Sequence, residues 1–215
     1  IPTEDTDGNV GNRIKIIKDE SIGNKKWNET PTNNWVTGTL NLYLNNDYYN
    51  NTLTTDAKNM IGTAKYYLGG YNTSKITTDV MWQYERKNEA NRTGYYYPQN
   101  PIMQNDASKK IALMYASDYG YAASKECTSN LYDYDGANCK TTNNWLDKSV
   151  NTWLLPQNSL YSSYVFLVRS TGFVSSDGIG YNYEYGARPV LYLSSNVKIS
   201  GGEGTSQKPY QLSIS

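Results

Sequence analysis

The sequence predicts an α+β protein in which two helices pack on a twisted, mostly antiparallel sheet with long irregular loops. Short runs of β-branched and aromatic residues recur along the chain between Gly, Asn and Asp, which is typical of strands and turns. Two segments in the first third carry apolar residues at helical spacing. The 22 Tyr and 5 Trp, against 2 Phe, indicate a β-rich protein with a wet, aromatic surface.

Length and charge limit the classes to which the chain can belong. A chain of 215 residues is long enough for one sizeable core, so we expect a single domain over residues 1–215, with a flexible N-terminal segment at 1–12. Lys plus Arg and Asp plus Glu are both 20 and neither sign forms a long run, which argues against a nucleic-acid partner. No apolar run approaches the roughly 18 residues of a membrane span.

The first helix is expected to begin near Pro31. Val36, Leu40, Tyr43 and Leu44 recur on one helical face, with Gly38 inside the helix. The candidate N-caps are Thr32, Asn33 and Asn34. The polar run DYYNN (47–51) predicts a turn after this helix, and RIKIIK (13–18) predicts a strand before it.

A second helix of about two turns is expected next, with Thr54 or Thr55 as N-cap and an end at Gly62. Strands are then predicted at 64–68, at 76–86 and at 111–115, with a loop at 88–101 and a turn at 118–122. SNVKIS (195–200) predicts the last strand, which a tail without further strands follows.

The segment from Tyr161 to Leu193 carries the predicted function. Strand-like ends at 164–169 and 188–193 enclose a middle rich in Gly, Ser, Asp and Tyr, with little to bury. Tyr181, Tyr183 and Tyr185 alternate with polar residues, so an extended backbone would place three phenols on one face. The predicted ligand-binding residues are Tyr161, Tyr164, Phe173, Ser175, Asp177, Tyr181, Tyr183 and Tyr185, a composition typical of binding surfaces. The alternative is that the three alternating tyrosines pack against neighbouring strands.

The two cysteines predict a disulfide. Cys127 and Cys139 flank a short polar loop, and a bridge between them would stabilise the fold by about 3 kcal/mol and indicate an oxidising, extracellular setting. The alternative is a pair of reduced, buried thiols. Zinc would need more ligands than these, and the chain has no His.

Catalysis and metal binding have little support in the sequence. Without His, neither a Ser-His nor a Cys-His pair can form, and the surroundings of Asp133 and Asp135 give no reason for a raised carboxyl pKa. The oxygen-rich loops DTDGN (5–9) and DYDGAN (133–138) lack the spacing and terminal Glu of an EF-hand. We therefore expect no enzymatic activity, no cofactor and no bound metal.

Several stretches resemble a family of bacterial extracellular domains of unknown function. NNWVTGTLNLYLNNDYYNNTLTTDAKNMI (33–61) resembles its helical region, and IALMYASDYGYA (111–122) is similar to the strand and turn that follow. VFLVRSTG (165–172), GYNYEYGARPVLYL (180–193) and VKISGGEGTSQKPYQL (197–212) resemble its closing strand pair and C-terminal tail. The resemblance spans about residues 13–212. It implies a C-type-lectin-like fold, distantly related to formylglycine-generating-enzyme domains, in which Arg188 is a structural residue.

The resemblance also implies where such a protein works. Members of this family occur on Gram-positive gut bacteria, often behind a membrane-spanning or prepilin-like N-terminus, so an anchor removed from the parent is expected. The fold is shared with proteins that diversity-generating retroelements vary, and the matching positions here lie between Tyr161 and Tyr185. Low-GC codon usage is the alternative source of their composition. The enzymatic relatives need a C-terminal cysteine pair, which stretch 161–193 lacks, so their activity does not carry over.

Together these observations predict a non-catalytic recognition module on the bacterial cell surface. It would be of adhesin or pilin-tip type and would bind a protein or glycan ligand on a host or microbial surface. The competing class is a structural, pilin-like assembly subunit whose surface polymerises without recognising a foreign ligand.

Overall fold

A computed structural model describes residues 2–5, 8–86, 103–104, 110–136, 139, 144–179 and 182–215. The protein is α+β, with many short strands and a few short helices. The strands are β1 (Pro2–Glu4), β2 (Val10–Asn12), β3 (Lys15–Ile17), β4 (Asn24–Lys25), β5 (Tyr66–Tyr67), β6 (Met103–Gln104), β7 (Ala112–Leu113), β8 (Thr152–Gln157), β9 (Tyr164–Val168), β10 (Val174–Gly178), β11 (Tyr185–Gly186), β12 (Pro189–Tyr192), β13 (Val197–Gly201) and β14 (Gln211–Ile214). The helices are α1 (Thr39–Tyr43), α2 (Tyr49–Thr52), α3 (Thr55–Met60), α4 (Thr78–Arg86) and α5 (Ala116–Tyr121).

The strands form two main sheets. A five-stranded sheet has the order β10-β9-β8-β11-β4, and a three-stranded sheet has the order β3-β12-β7. All described pairings are antiparallel except the one between β8 and β11. The short link between β11 and β12 carries the chain from one sheet to the other, so the two sheets are joined through the segment that was expected to carry function.

The core is built around the central strand β8. All of Thr152–Gln157 is buried, and Trp153, Leu154 and Leu155 lie in one hydrophobic cluster that extends from Trp27 to Tyr192. The Trp27 indole donates a hydrogen bond to the Leu154 carbonyl (3.1 Å), which satisfies its polar atom inside the core. The cluster therefore ties the N-terminal third of the chain to the strands that follow residue 150.

The first helix begins later than the sequence predicts. Gly38 has extended backbone angles and is the N-cap of α1, so it does not lie inside the helix, and the predicted start near Pro31 is wrong. The predicted turn at 47–51 is also wrong, because a π-helical stretch (Leu44–Tyr48) joins α1 to α2. The reason is Asn45, which is buried and exchanges two hydrogen bonds with the Ile111 backbone (2.8 and 2.9 Å). The spacing of apolar residues does not reveal a helical face whose buried residue is polar.

The second predicted helix is confirmed. Helix α3 starts at Thr55, and the Thr54 hydroxyl accepts a hydrogen bond from the Ala57 amide (3.2 Å), as an N-cap does. It ends at Met60, two residues before Gly62, where a side chain would crowd the Ser194 backbone.

The strand predicted at 76–86 is wrong, because this segment forms α4. Met81 and Glu85 are its buried residues and lie one helical turn apart. Glu85 accepts hydrogen bonds from the amide (3.0 Å) and the hydroxyl of Ser117, at the start of α5. Helix α5 itself replaces the turn predicted at 118–122.

Both chain ends differ from expectation within the described residues. The segment predicted as an N-terminal loop forms the antiparallel ribbon β1–β2, and Glu4 of β1 makes an ion pair with Lys65. The tail predicted to lack strands contains β14, which pairs with β13. The predicted loop at 88–101 lies outside the described residues. The Cys127–Cys139 disulfide is confirmed.

Replacing Gly120 with alanine tests the packing of α4 on α5. An added Cβ would lie 2.2 Å from the Thr78 hydroxyl oxygen, so we expect Gly120→Ala to lower the free energy of unfolding by about 2 kcal/mol, even though alanine normally stabilises a helix relative to glycine by about 1 kcal/mol. Chemical denaturation measures this. Gly11→Ala is the control, because its Cβ would meet no atom within 4 Å. A Gly120→Ala protein as stable as the wild type would contradict the packing.

The buried Glu85 predicts a pH-dependent stability. Burial is the main cause that raises its pKa from 4.5 to about 7. Between these values the folded state holds a proton that the unfolded state has lost, so the free energy of unfolding falls as pH rises through this window. Since one pKa unit corresponds to about 1.4 kcal/mol, the wild type should lose up to about 3 kcal/mol between pH 4.5 and 8 relative to Glu85→Gln. Urea titrations across pH test this, with exposed Glu20→Gln as control; parallel profiles for wild type and Glu85→Gln would contradict it.

Candidate recognition surface

The β9–β10 hairpin organises the region to which recognition was assigned. Its register runs from Val174 opposite Val168 to Gly178 opposite Tyr164, and Gly172 makes the turn with a φ of 100° that favours glycine. The strands predicted at 164–169 and 188–193 are confirmed as β9 and β12. The stretch between them buries more than expected, because it contains β10, in which Val174 and Ser175 are buried.

Four of the predicted residues meet with Arg169 in one cluster of hydrogen bonds and stacked rings. We name it the tyrosine platform: Arg169, Ser175, Asp177, Tyr183 and Tyr185. The Arg169 guanidinium donates to the Ser175 hydroxyl (2.7 Å) and to the Asp177 carboxylate (3.3 Å). The Tyr185 hydroxyl donates to the same carboxylate oxygen (3.0 Å). Each bond to Asp177 involves a charged group, so these bonds are stronger than neutral ones.

The Tyr185 ring also packs against the core. It lies against the buried Trp153 ring at a centroid distance of 4.6 Å, and the Trp153 indole donates to the Lys25 carbonyl (2.7 Å). Lys25 is also the partner of Tyr185 in the β11–β4 pairing. Burial, followed by the hydrogen bond to Asp177, raises the pKa of the Tyr185 phenol, so this group stays protonated and remains a donor.

Tyr183 is the outermost ring of the platform. Its ring lies nearly parallel to that of Tyr185, at 12° and a centroid distance of 5.9 Å, and 43% of the residue is exposed. Tyr183 and Tyr185 thus share one side, as the alternation predicts, whereas Tyr181 lies outside the described residues. Glu184 lines a cavity of about 310 Å³ together with Lys25 and Lys26.

Tyr161 and Tyr164 form a separate pair, with ring centroids 5.2 Å apart, and 53% of Tyr161 is exposed. The loop that carries them is held by Asn33, whose buried amide donates to the carbonyls of Asn158, Tyr161 and Tyr164 (3.0 to 3.2 Å). Asn33, one of three candidate N-caps in the sequence, therefore fixes this loop and does not cap the helix, whose N-cap is Gly38. Tyr164 and Asp177 occupy adjacent positions in the register, so their side chains point to opposite faces of the sheet.

Phe173 lies at the other end of β10. It packs edge-on against Tyr132 at 5.3 Å. Five strand positions separate Phe173 from Gly178, the partner of Tyr164, which corresponds to about 17 Å. The predicted ligand-binding residues are consequently distributed over the platform, the Tyr161–Tyr164 pair and the Phe173 contact.

Arg188 has the structural position that was expected of it. Its buried guanidinium donates to the carbonyls of Lys18 (2.9 Å) and Leu146 (2.6 Å), and desolvation lowers its pKa without making it neutral near pH 7. Sequence reasoning missed Arg169. A hairpin register drawn from the turn at Gly172 would have placed Arg169 beside Ser175 and Asp177, since residues two apart on a strand share a face.

Comparisons with known proteins leave the chain without an assigned relative. No protein-family model, no curated protein and no solved structure matches it. Among the described residues, no helix is long and apolar enough to cross a membrane. In the same part of the chain, no group of three or more His, Cys, Asp or Glu residues could hold a metal ion. Residues 6–7 and 137–138 of the two oxygen-rich loops lie outside that part.

Substitutions at Tyr183 and Tyr185 should show which of the two stacked rings stabilises the fold. Tyr185→Phe should lower the free energy of unfolding by about 1 kcal/mol through loss of its hydrogen bond, and Tyr185→Ala by about 3 kcal/mol through loss of packing on Trp153. Tyr183→Ala should change stability by less than about 1 kcal/mol, because its ring is the outer one. Thermal and chemical denaturation test this order, with exposed Tyr210→Ala as control. A larger loss for Tyr183→Ala than for Tyr185→Ala would contradict it.

Proposed function

We propose that this protein is a non-catalytic recognition domain with a C-type-lectin-like fold on a bacterial cell surface. It works as an adhesin or pilin-tip-like module that binds a protein or glycan on a host or microbial surface. The observation that carries the proposal is the tyrosine platform, in which the exposed Tyr183 ring stacks on a Tyr185 ring that Asp177 and Trp153 hold in place.

The platform has the physical properties of a binding anchor. Binding costs less free energy when the contacting side chains are already ordered, and Tyr loses few rotamers on contact. Tyr183 rests on Tyr185, so its ring offers apolar area in a defined orientation. The partly exposed charges of Arg169 and Asp177 in the same platform supply polar groups beside the rings, as protein-binding surfaces commonly have. An ordered ring of this kind favours a folded protein as the partner over a flexible ligand chain.

The fold and the location have their own support. Short helices accompany mostly antiparallel sheets with long irregular connections, an arrangement that is compatible with a C-type-lectin-like domain. The Cys127–Cys139 disulfide fits an oxidising, extracellular environment. The proposal includes no catalytic step. The chain has no His, and Glu85, with its raised pKa, is buried beneath α5.

Retroelement diversification, as part of this proposal, is confined to the exposed positions between Tyr161 and Tyr185. Val165–Val168 and Val174 are buried in the sheet, where arbitrary side chains would disrupt the core. Tyr161, Asn182 and Tyr183 are exposed and could accept substitution without loss of the fold. This distribution of buried and exposed positions is compatible with a diversified surface on a fixed hairpin.

A binding screen with matched variants tests the proposed function. The purified chain is screened against arrays of extracellular proteins and glycans, and each hit is measured by surface plasmon resonance. Tyr183→Ala should weaken binding by at least about tenfold, which corresponds to a central aromatic contact. Tyr210→Ala, an exposed tyrosine outside the platform, should bind as the wild type does.

The outcomes distinguish recognition from assembly. A ligand whose affinity is unchanged by Tyr183→Ala would show that the platform is not its site. Concentration-dependent self-association that Tyr183→Ala abolishes, without any ligand, would favour the structural assembly subunit. Sedimentation velocity over a range of protein concentrations measures this.

A further inference from the structure

A second concave site lies outside the tyrosine platform and shares no residue with it. It is a cavity of about 380 Å³, which is within the usual size of small-molecule sites. Its walls come from β3, from α5 and from the turn before β8. The lining side chains used below are Lys15, Ile17, Asp118, Tyr121, Trp145 and Leu146.

Trp145 projects into solvent from a turn that is fixed on both sides. The residue is 70% exposed, although its neighbours Asn144 and Leu146 are buried. The Asn144 amide donates to the Tyr119 carbonyl (2.9 Å), and Arg188 donates to the Leu146 carbonyl (2.6 Å). The backbone therefore holds the indole outward, where it forgoes the hydrophobic stabilisation that burial of such a ring provides.

Tyr121 supplies a second aromatic wall at the end of α5. It is 57% exposed, and its hydroxyl donates to the Asp79 carboxylate (2.7 Å), which restrains the ring. The apolar side chains of Ile17 and Leu146 line the same cavity as Trp145 and Tyr121. The walls are thus apolar and aromatic.

The polar part of the cavity is an ion pair. Lys15 and Asp118 contact each other with side chains only 3% and 11% exposed. The Lys15 ammonium also lies over the Tyr115 ring at 4.6 Å. Asp118 uses its Oδ2 oxygen for both Lys15 and the Tyr115 amide (2.8 Å), so its Oδ1 oxygen is the second acceptor that the carboxylate can offer.

This combination selects the class of ligand. An anion would meet the Asp118 carboxylate and compete with it for Lys15, and a cation would meet the Lys15 ammonium, so either charge is disfavoured. A purely apolar ligand would seal the ion pair from water without replacing its hydrogen bonds, which is costly. A neutral molecule that has both hydroxyl groups and an apolar face can pack on the aromatic walls and form hydrogen bonds with the ion pair.

We propose that this cavity binds a neutral pyranose, as a monosaccharide or as the end of a glycan. The C–H face of the sugar ring packs on the Trp145 indole, with Tyr121 as the second wall. One hydroxyl donates to Asp118 Oδ1, and another accepts from the Lys15 ammonium. The Lys15–Asp118 pair presents a hydrogen-bond donor and an acceptor side by side. Two adjacent sugar hydroxyls can use both, one as acceptor and the other as donor.

The test titrates the full chain with D-galactose, D-mannose and N-acetyl-D-glucosamine as methyl glycosides, using saturation-transfer NMR and indole fluorescence. We expect saturable binding of at least one of them in the millimolar range. Trp145→Ala should weaken it by at least about tenfold, because the stacking face is lost. Trp82→Ala is the matched control, since Trp82 is also exposed but belongs to α4 outside this cavity.

Charge provides the second comparison. D-Galacturonate and D-glucosamine should bind at least about tenfold more weakly than their neutral counterparts D-galactose and N-acetyl-D-glucosamine, because each brings a charge against one member of the ion pair. Three results would overturn the proposal: no saturable binding of any of these neutral sugars, unchanged affinity in Trp145→Ala, or a charged sugar that binds as tightly as its neutral counterpart. Tyr183→Ala should bind these sugars normally, so failure here leaves the function proposed for the tyrosine platform untouched.

Discussion

Buried side chains that donate hydrogen bonds to backbone carbonyls hold this protein together where regular secondary structure does not. Most strands are only two to five residues long, so many backbone groups lie outside any ladder. A buried carbonyl without a partner costs about 1–3 kcal/mol. Asn33 satisfies three such groups around residues 158–164, Asn45 replaces a strand partner for Ile111, and Asn144 holds the turn before β8. Buried Asn residues such as these therefore stabilise the fold.

Both candidate binding surfaces depend on this kind of support. The loop that carries the exposed Tyr161 is fixed by hydrogen bonds with Asn33 and Asn158. Trp145 stays outside the core because Asn144 and Arg188 anchor the turn on either side of it. An ordered backbone lowers the entropic cost of a contact, so the buried donors would assist the proposed recognition without touching a ligand. The same donors explain how irregular segments can be ordered enough to present aromatic rings.

The sequence allowed local features to be predicted better than long-range ones. Strands β9 and β12, the Thr54 cap and the disulfide follow from patterns within a few residues. Helix α4 was mistaken for a strand because Glu85, one of its two buried residues, is ionisable, and its burial depends on contacts with Ser117 and Arg86 that the local sequence pattern does not show. The link between Arg169 and Asp177 was missed because it depends on a hairpin register that composition alone does not determine. Of the candidate site, the exposed Tyr183 could be predicted, whereas the packing of Tyr185 on Trp153 could not.

The many tyrosines have two physical roles, and this division decides which of them can serve recognition. The abundance of Tyr first indicated a wet, aromatic surface, but Tyr66, Tyr115 and Tyr119 are buried and donate their hydroxyls to backbone carbonyls, as the buried asparagines do. Burial raises the pKa of each of these phenols, which keeps them as donors. A phenol used in this way is part of the scaffold. The proposed recognition would fall to exposed rings such as Tyr183, which stacks on the Tyr185 ring that the scaffold holds.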